Sequence, residues 1–188
     1  MEEHIKHPKC IAVGECGLDY YRLPEDDNEK KSNIELQKEV FIKHIEFAKK
    51  IKKPLIVHIR EASNDSRIIL EEYNAKEVGG VLHCFNASEH LLPLANDNFY
   101  FGIGGVLTFK NAKKLVEILP KIPQEKLIIE TDGPYLTPHP YRGKRNEPSY
   151  TNYVAEKMAE ILELSKNDIE EITTNNAKKL FKEFSKVV

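Results

Sequence analysis

The sequence predicts a parallel α/β protein, because short apolar segments alternate with longer segments of helical periodicity. The second apolar segment, residues 55–59, is apolar at nearly every position, as expected of a strand that is covered on both faces. Helical segments between consecutive strands favour right-handed βαβ units, which place the carboxyl ends of all strands at one edge of the sheet. The predicted strands are residues 10–14, 55–59, 81–85, 99–105 and 127–132.

Amphipathic periodicity predicts the helices that connect and follow these strands. Residues 16–33 and 136–149 have no such periodicity and are predicted to form long loops. The motif Ser165-x-x-Asp168 resembles a capping box, with aspartate in place of glutamate, close to the start of the last helix. The predicted helices are residues 34–52, 65–73, 88–95, 111–119, 153–164 and 169–184.

Length and charge limit the function classes. A chain of 188 residues predicts one domain, residues 1–188, that can bury a core without disulfides. With 28 basic and 30 acidic side chains, the net charge of -2 gives no global attraction to nucleic acid or membrane, so polyanion contacts require a local basic patch. Three cysteines without CxxC spacing predict a reduced, cytoplasmic protein. No apolar run reaches the roughly 18 residues that a membrane span needs.

Metal-binding residue types lie close to the carboxyl ends of four predicted strands. These residues are Glu15, His58, His83 and Asp132. Imidazole and carboxylate together suit Zn²⁺ and related divalent ions, and a shared carboxylate can bridge two ions in a hydrolytic centre. Either histidine alone is also explained as a satisfied side chain at the rim of the sheet. The four residues together predict a metal site at this edge.

Alternation along the second strand places Arg60 on the same face as His58. Its guanidinium there predicts a bidentate phosphate contact. The alternative is an ion pair of Arg60 with a carboxylate such as Glu130 or Glu61. Glu130 is expected one layer deeper than Asp132, where its charge requires a partner that the sequence does not identify.

A second basic cluster lies in the loop that starts at the same edge of the sheet. Its residues, Arg142, Lys144 and Arg145, follow the last strand by about ten positions, and such loops commonly carry function. The cluster predicts contacts with phosphates, and solvated loop charge is the alternative.

Cys16 and Cys84 each adjoin a predicted metal ligand. In a regular strand, the neighbour of a ligand points to the opposite face. Neither thiol is therefore predicted to bind metal or to act as a nucleophile.

Five motifs of the chain are distinctive. They are Gly14-Glu-Cys-Gly-Leu-Asp-Tyr-Tyr21, Val57-His-Ile-Arg60, Val81-Leu-His-Cys-Phe85, Glu130-Thr-Asp-Gly-Pro-Tyr-Leu136 and Arg142-Gly-Lys-Arg-Asn-Glu-Pro148. Together they closely resemble the TatD family of metal-dependent deoxyribonucleases. The resemblance implies a TIM-barrel-like (β/α)₈ hydrolase fold, one or two divalent ions (Zn²⁺, Mg²⁺ or Mn²⁺), and hydrolysis of DNA phosphodiesters in single strands or at ends.

The resemblance also implies roles for individual residues. Glu15 corresponds to a carboxylate that bridges two ions, and His58 and His83 correspond to ligands of one of them. Asp132 corresponds to a ligand of the other ion that also orients or deprotonates the attacking water, so Glu15 and Asp132 are the expected catalytic residues. The residues expected to bind substrate are Arg60, Arg142, Lys144 and Arg145.

Members of the TatD family carry three further strands and a His-x-His pair before the motif that begins here at Gly14. We therefore expect an incomplete barrel that corresponds to strands four to eight, with edges covered by a missing N-terminal segment or by oligomerisation. The ion served by Glu15, His58 and His83 is expected to bind more firmly than the second. A catalytically impaired folding or interaction module, or a hydrolase of small esters or amides, is the alternative function.

Overall fold

The computed structural model describes residues 3–182 and arranges five parallel strands in one sheet. The strands pair in the order in which they occur along the chain, so β1 and β5 are the edges of the sheet within this range. The predicted parallel α/β architecture is confirmed. The strands are β1 (Val13–Asp19), β2 (Leu55–Arg60), β3 (Gly80–His83), β4 (Phe99–Ile103) and β5 (Leu127–Ile129).

The α-helices follow the predicted alternation, with two corrections. The helix predicted over residues 88–95 is a 3₁₀ helix, Glu89–Asp97, and contains Pro93, which has no N–H for an α-helical bond. The first helix begins at Asp27 rather than at residue 34, because the Asp26 side chain caps it by accepting hydrogen bonds from backbone N–H groups. The α-helices are α1 (Asp27–Ile51), α2 (Ser63–Glu72), α3 (Lys113–Ile118), α4 (Thr151–Leu162) and α5 (Lys166–Leu180).

Strand β1 continues to Asp19, whereas the sequence predicted its end at residue 14 and a loop from residue 16. Gly17 pairs with His58 of β2, and Asp19 pairs with Arg60. Gly17 has a φ of +140°, and a Cβ there would overlap the carbonyl oxygen of His58, so this close approach requires glycine. Of the predicted loop 16–33, residues 16–19 thus belong to β1, and residues from Asp27 onwards belong to α1.

The core lies mainly between the sheet and the helices on its outer face. Helix α1 packs on β1 and buries Phe41 and Ile45 completely. On the other face, Val81 and Ile128 form a smaller apolar cluster with Leu180 of α5. Apolar side chains thus pack on both faces of the sheet, which explains the nearly continuous apolar character of its strands.

Helix α5 ends at Leu180. The predicted end of this helix, residue 184, lies outside the described residues. Within residues 3–182, no helix combines the length and the apolar character that crossing a membrane requires.

The capping box predicted at the start of α5 is confirmed. The Ser165 hydroxyl accepts a hydrogen bond from the Asp168 backbone N–H at 3.1 Å, and the Asp168 carboxylate accepts one from the Ser165 N–H. We expect Ser165→Ala to lower the free energy of unfolding by about 1 kcal/mol, measured by urea denaturation. Ser32→Ala is the matched control, because Ser32 lies exposed inside α1, where alanine has the higher helix propensity. Equal losses in the two variants would contradict a capping role.

Candidate active site

The carboxyl ends of the strands meet around a cavity of about 550 Å³. His58 of β2 and His83 of β3 are paired residues of neighbouring strands, and both line this cavity. Glu15, Arg60 and Asp132 line it as well. The structure therefore brings together these five of the residues that the sequence singled out.

Two carboxylates flank the imidazole of His58. Its Nδ1 lies 3.0 Å from Glu15 Oε1, and its Nε2 lies 3.1 Å from Asp19 Oδ2. Sequence analysis missed Asp19, because it ended the strand before this residue. The signal was available, since residues 15 and 19 share one face of a strand that is extended to Asp19.

A second, less exposed group forms around His83, of which 15% of the side chain is exposed. Its Nδ1 lies 2.9 Å from Glu130 Oε2, and its Nε2 lies 3.4 Å from Asp132 Oδ1. The hydrogen bond with Glu130 is the main cause that raises the pKa of His83 to about 9, against the opposing effect of burial. Glu130 also accepts a hydrogen bond of 2.5 Å from the Cys84 backbone N–H. His83 and Cys84 are thus the partners that the sequence could not assign to Glu130.

Gly102 of β4 provides the space that Glu130 occupies. A Cβ on Gly102 would overlap a carboxylate oxygen of Glu130. Glycine inside a strand commonly marks a close approach of another group, and at Gly102 the group that approaches is a side chain. Strand β4 therefore contributes space to the site, because glycine has no side chain, and it contributes no metal ligand.

Arg60 packs on an aromatic ring at the wall of the cavity. Its guanidinium carbon lies 3.6 Å from the centre of the Tyr21 ring, within the range of a cation–π contact. From the sequence, an ion pair with Glu130 or Glu61 was the alternative to a phosphate contact. The structure favours neither carboxylate, since Glu130 bonds His83 and the guanidinium stacks on Tyr21.

The basic cluster of the loop after β5 lies outside this cavity. The Arg142 guanidinium stacks 3.8 Å from the centre of the Phe109 ring, and the Lys144 ammonium lies 5.6 Å from that of Tyr141. Arg145 is exposed. The three side chains do not join Asp132 around the cavity. Arg142 instead holds the loop against Phe109.

Besides Arg60, a second cationic side chain lines the cavity, and it comes from a segment for which the sequence predicted no functional role. Lys114 of α3 and Asn111, just before this helix, line the cavity. The periodicity of this helix indicates which residues are apolar and face the core, and lysines between them are typical of a solvated face. Only the packing of α3 beside the strand ends brings Lys114 to the site.

The two cysteines near the site differ in their surroundings. Cys16 is buried in the core, as predicted, and burial raises the pKa of its thiol to about 12. Cys84 lines the cavity, which corrects the prediction that it faces away. Strand β3 ends at His83 and Cys84 has a φ of +46°, so the alternation of a strand no longer holds. Burial, followed by the charge of Glu130, raises the pKa of the Cys84 thiol to about 12, which disfavours a thiolate nucleophile or ligand.

The donor chemistry of the cavity fits a divalent cation. His83 bonds Glu130 through Nδ1 and directs Nε2 towards Asp132, the carboxylate–histidine arrangement that orients metal-binding imidazoles. Within the described part of the chain, no three side chains of histidine, cysteine, aspartate or glutamate already form a metal-binding group. Ligation by three residues would thus require side-chain rotations around the cavity. The residues that would hold the ion are Glu15, His58, His83 and Asp132.

Fold and site together define a class, the TIM-barrel-like α/β hydrolases that carry histidines and carboxylates at the carboxyl ends of their parallel strands. The chain belongs to the family described as "TatD related DNase", which matches residues 1–182. Relatives in this family are named as metal-dependent hydrolases, which implies a divalent ion whose identity the family does not fix. The prediction that the five strands correspond to strands four to eight of a (β/α)₈ barrel gains no support from this match and stays a prediction.

Individual relatives agree with this assignment. The chain is 48% identical to the "Uncharacterized metal-dependent hydrolase YabD" of Bacillus subtilis (strain 168), over 97% of this chain and 69% of the relative. It is 34% identical to the "3'-5' ssDNA/RNA exonuclease TatD" of Edwardsiella piscicida, over 97% of this chain and 70% of the relative. The crystal structure of YJJV, a TatD homologue from Escherichia coli K12, matches 92% of this chain with a TM-score of 0.81 and 26% identity. The chain spans 64% of that structure, which is less than two thirds.

Proposed function

We propose that the chain hydrolyses phosphodiester bonds of DNA by a metal-dependent mechanism. The observation that carries the proposal is His83, whose two ring nitrogens face Glu130 and Asp132 in a cavity that Arg60 also lines. An anion-binding cation thus stands beside a group of residues that suits a divalent ion. The similarity to a relative named as an exonuclease for single-stranded DNA and RNA supports nucleic acid as the substrate class.

Each residue of the site has a distinct task in this proposal. A bound divalent cation would supply Lewis-acid polarisation of a phosphoryl oxygen and acidification of water. Glu15, His58, His83 and Asp132 would hold it. Glu130 fixes the orientation of His83 through the Nδ1 hydrogen bond. The Asp132 carboxylate, 39% exposed and facing the cavity, accepts the proton of the attacking water.

Cations at two distances from the site would hold the polyanion. Arg60 and Lys114 line the cavity and would contact the phosphate that reacts. Lys144 and Arg145, in the loop after β5, would contact phosphates farther along the bound DNA. These contacts would be more exposed, so salt would screen them more strongly. Arg142 supports this loop by its contact with Phe109.

The test is the incubation of the purified chain with a short end-labelled oligodeoxynucleotide. We expect release of nucleotides from the single strand when Mg²⁺, Mn²⁺ or Zn²⁺ is added, and no release in EDTA, because the residues of the site supply no Lewis acid of their own. A duplex and an RNA of the same sequence measure the preference for strand and sugar.

Two outcomes would contradict the proposal. Hydrolysis of p-nitrophenyl acetate without nucleotide release would assign the site to small esters. Tight binding of Mn²⁺ without any hydrolysis would favour an interaction module. In both cases calorimetric titration with the metal alone verifies that the protein is folded and competent to bind.

A further inference from the structure

Tyr135 presents an exposed aromatic ring at the rim of the candidate active site. It is 71% exposed, the highest value among the exposed large hydrophobic residues of the described chain. It lines the same cavity as Asp132 and His83. A single exposed tyrosine is common on protein surfaces, so exposure alone does not indicate function.

The backbone that carries this ring is held on both sides. The Tyr135 N–H donates to the Asp132 carbonyl at 2.7 Å, and the Tyr135 carbonyl accepts from Asn146 Nδ2 at 2.6 Å. Asn146 is only 5% exposed and also donates to Thr131 Oγ1 at 2.9 Å. A buried polar side chain thus fixes the backbone of Tyr135 relative to Asp132, so the ring is attached at a defined position beside the cavity.

Several other aromatic rings of the chain already have a partner on one face. Tyr21 carries the Arg60 guanidinium, and Tyr141 and Tyr150 stack on each other with ring centroids 4.6 Å apart. Within the described residues the Tyr135 ring has no such stacking or cation partner, so it can offer a face to a ligand.

We propose that Tyr135 stacks on an unpaired base of the nucleotide next to the phosphodiester that is cleaved. This inference rests on the proposed function and specifies its substrate. In a duplex, neighbouring bases cover each base face, whereas a single strand leaves its bases free to stack on an aromatic side chain. Every base has such a face, so the contact selects for single strands without selecting a sequence. Arg60 and Lys114 then hold phosphate while the ring at the rim holds the base.

The test compares Tyr135→Leu with Tyr135→Phe, which keeps the ring. Both are made in the Asp132→Ala background, so that the oligonucleotide remains intact. The probe is a short single-stranded oligothymidylate with a terminal 2-aminopurine, whose fluorescence is quenched when it stacks. We expect quenching with the Tyr135 parent and with Tyr135→Phe, and loss of quenching with about a tenfold higher Kd for Tyr135→Leu.

An oligothymidylate with an abasic terminal residue is the matched ligand, and its affinity should not differ between the variants. Equal quenching by Tyr135→Leu and its parent, or an equal loss of affinity for the abasic strand, would overturn the stacking role. Failure of the proposed function gives a different result. The chain with Asp132 intact would then cleave no oligonucleotide, while ring-dependent quenching would still support stacking.

Discussion

Asp132→Ala is expected to lower metal-dependent release of nucleotides from single-stranded DNA by about 10³-fold, as for the loss of a general base. The carboxylate faces the cavity, and its Oδ1 lies 3.4 Å from His83 Nε2. Alanine removes the carboxylate that accepts the proton of the attacking water, and with it an oxygen ligand for the metal. Turnover of an end-labelled oligonucleotide at saturating Mn²⁺ measures the loss.

Glu125→Ala is the matched control for this substitution. Glu125 is an exposed carboxylate in the short 3₁₀ helix Gln124–Lys126, at the amino end of β5. Its removal changes the net charge of the chain by the same amount but leaves the site untouched. Equal effects of the two substitutions, or a loss of less than about tenfold for Asp132→Ala, would mean that Asp132 is not the base.

Gly102→Ala is expected to reduce activity by about 10- to 100-fold, the range for the loss of a partner that orients a metal-binding histidine. The new methyl group would occupy the space of a Glu130 carboxylate oxygen. Glu130 would then be displaced from His83 Nδ1, to which it lies at 2.9 Å, and the imidazole would lose its orientation. The variant should remain folded, because a side-chain end can move where backbone cannot.

Gly104→Ala is the control two residues along the same segment. A Cβ there would lie no closer than 3.7 Å to Glu130, an ordinary contact, so we expect activity close to that of the unmodified chain. The mechanism is tested further with Glu130→Ala, alone and combined with Gly102→Ala. If the glycine acts through Glu130, the combined variant is no worse than Glu130→Ala alone. Additive losses would contradict this route.

The architecture could be predicted from the sequence because it depends on local patterns. Apolar segments such as residues 55–59 and the amphipathic segments between them impose the alternation of strands and helices, whichever elements they pack against. Parallel strands then place residues at their carboxyl ends on one edge of the sheet. His58 and His83 could be located in this way before any distance was known.

Other parts of the site could not be predicted, because they depend on contacts between distant segments. Glu130 and His83 are 47 residues apart, and nothing in either segment specifies the other as its hydrogen-bond partner. Lys114 reaches the cavity only through the packing of α3. Cys84 lines the cavity because β3 ends at His83, the residue just before it. The length of β1, and with it the role of Asp19, follows from pairing with β2.

The sequence alone determined the parallel α/β class, the family resemblance, and the edge of the sheet at which Glu15, His58, His83 and Asp132 gather. The tertiary structure decided which carboxylate each imidazole bonds, and it left Arg142 on a phenylalanine ring rather than in the cavity. The physical reason is the range of the interactions. Periodicity and strand direction are properties of neighbouring residues, whereas hydrogen bonds and stacking require positions that only packing of the whole chain fixes.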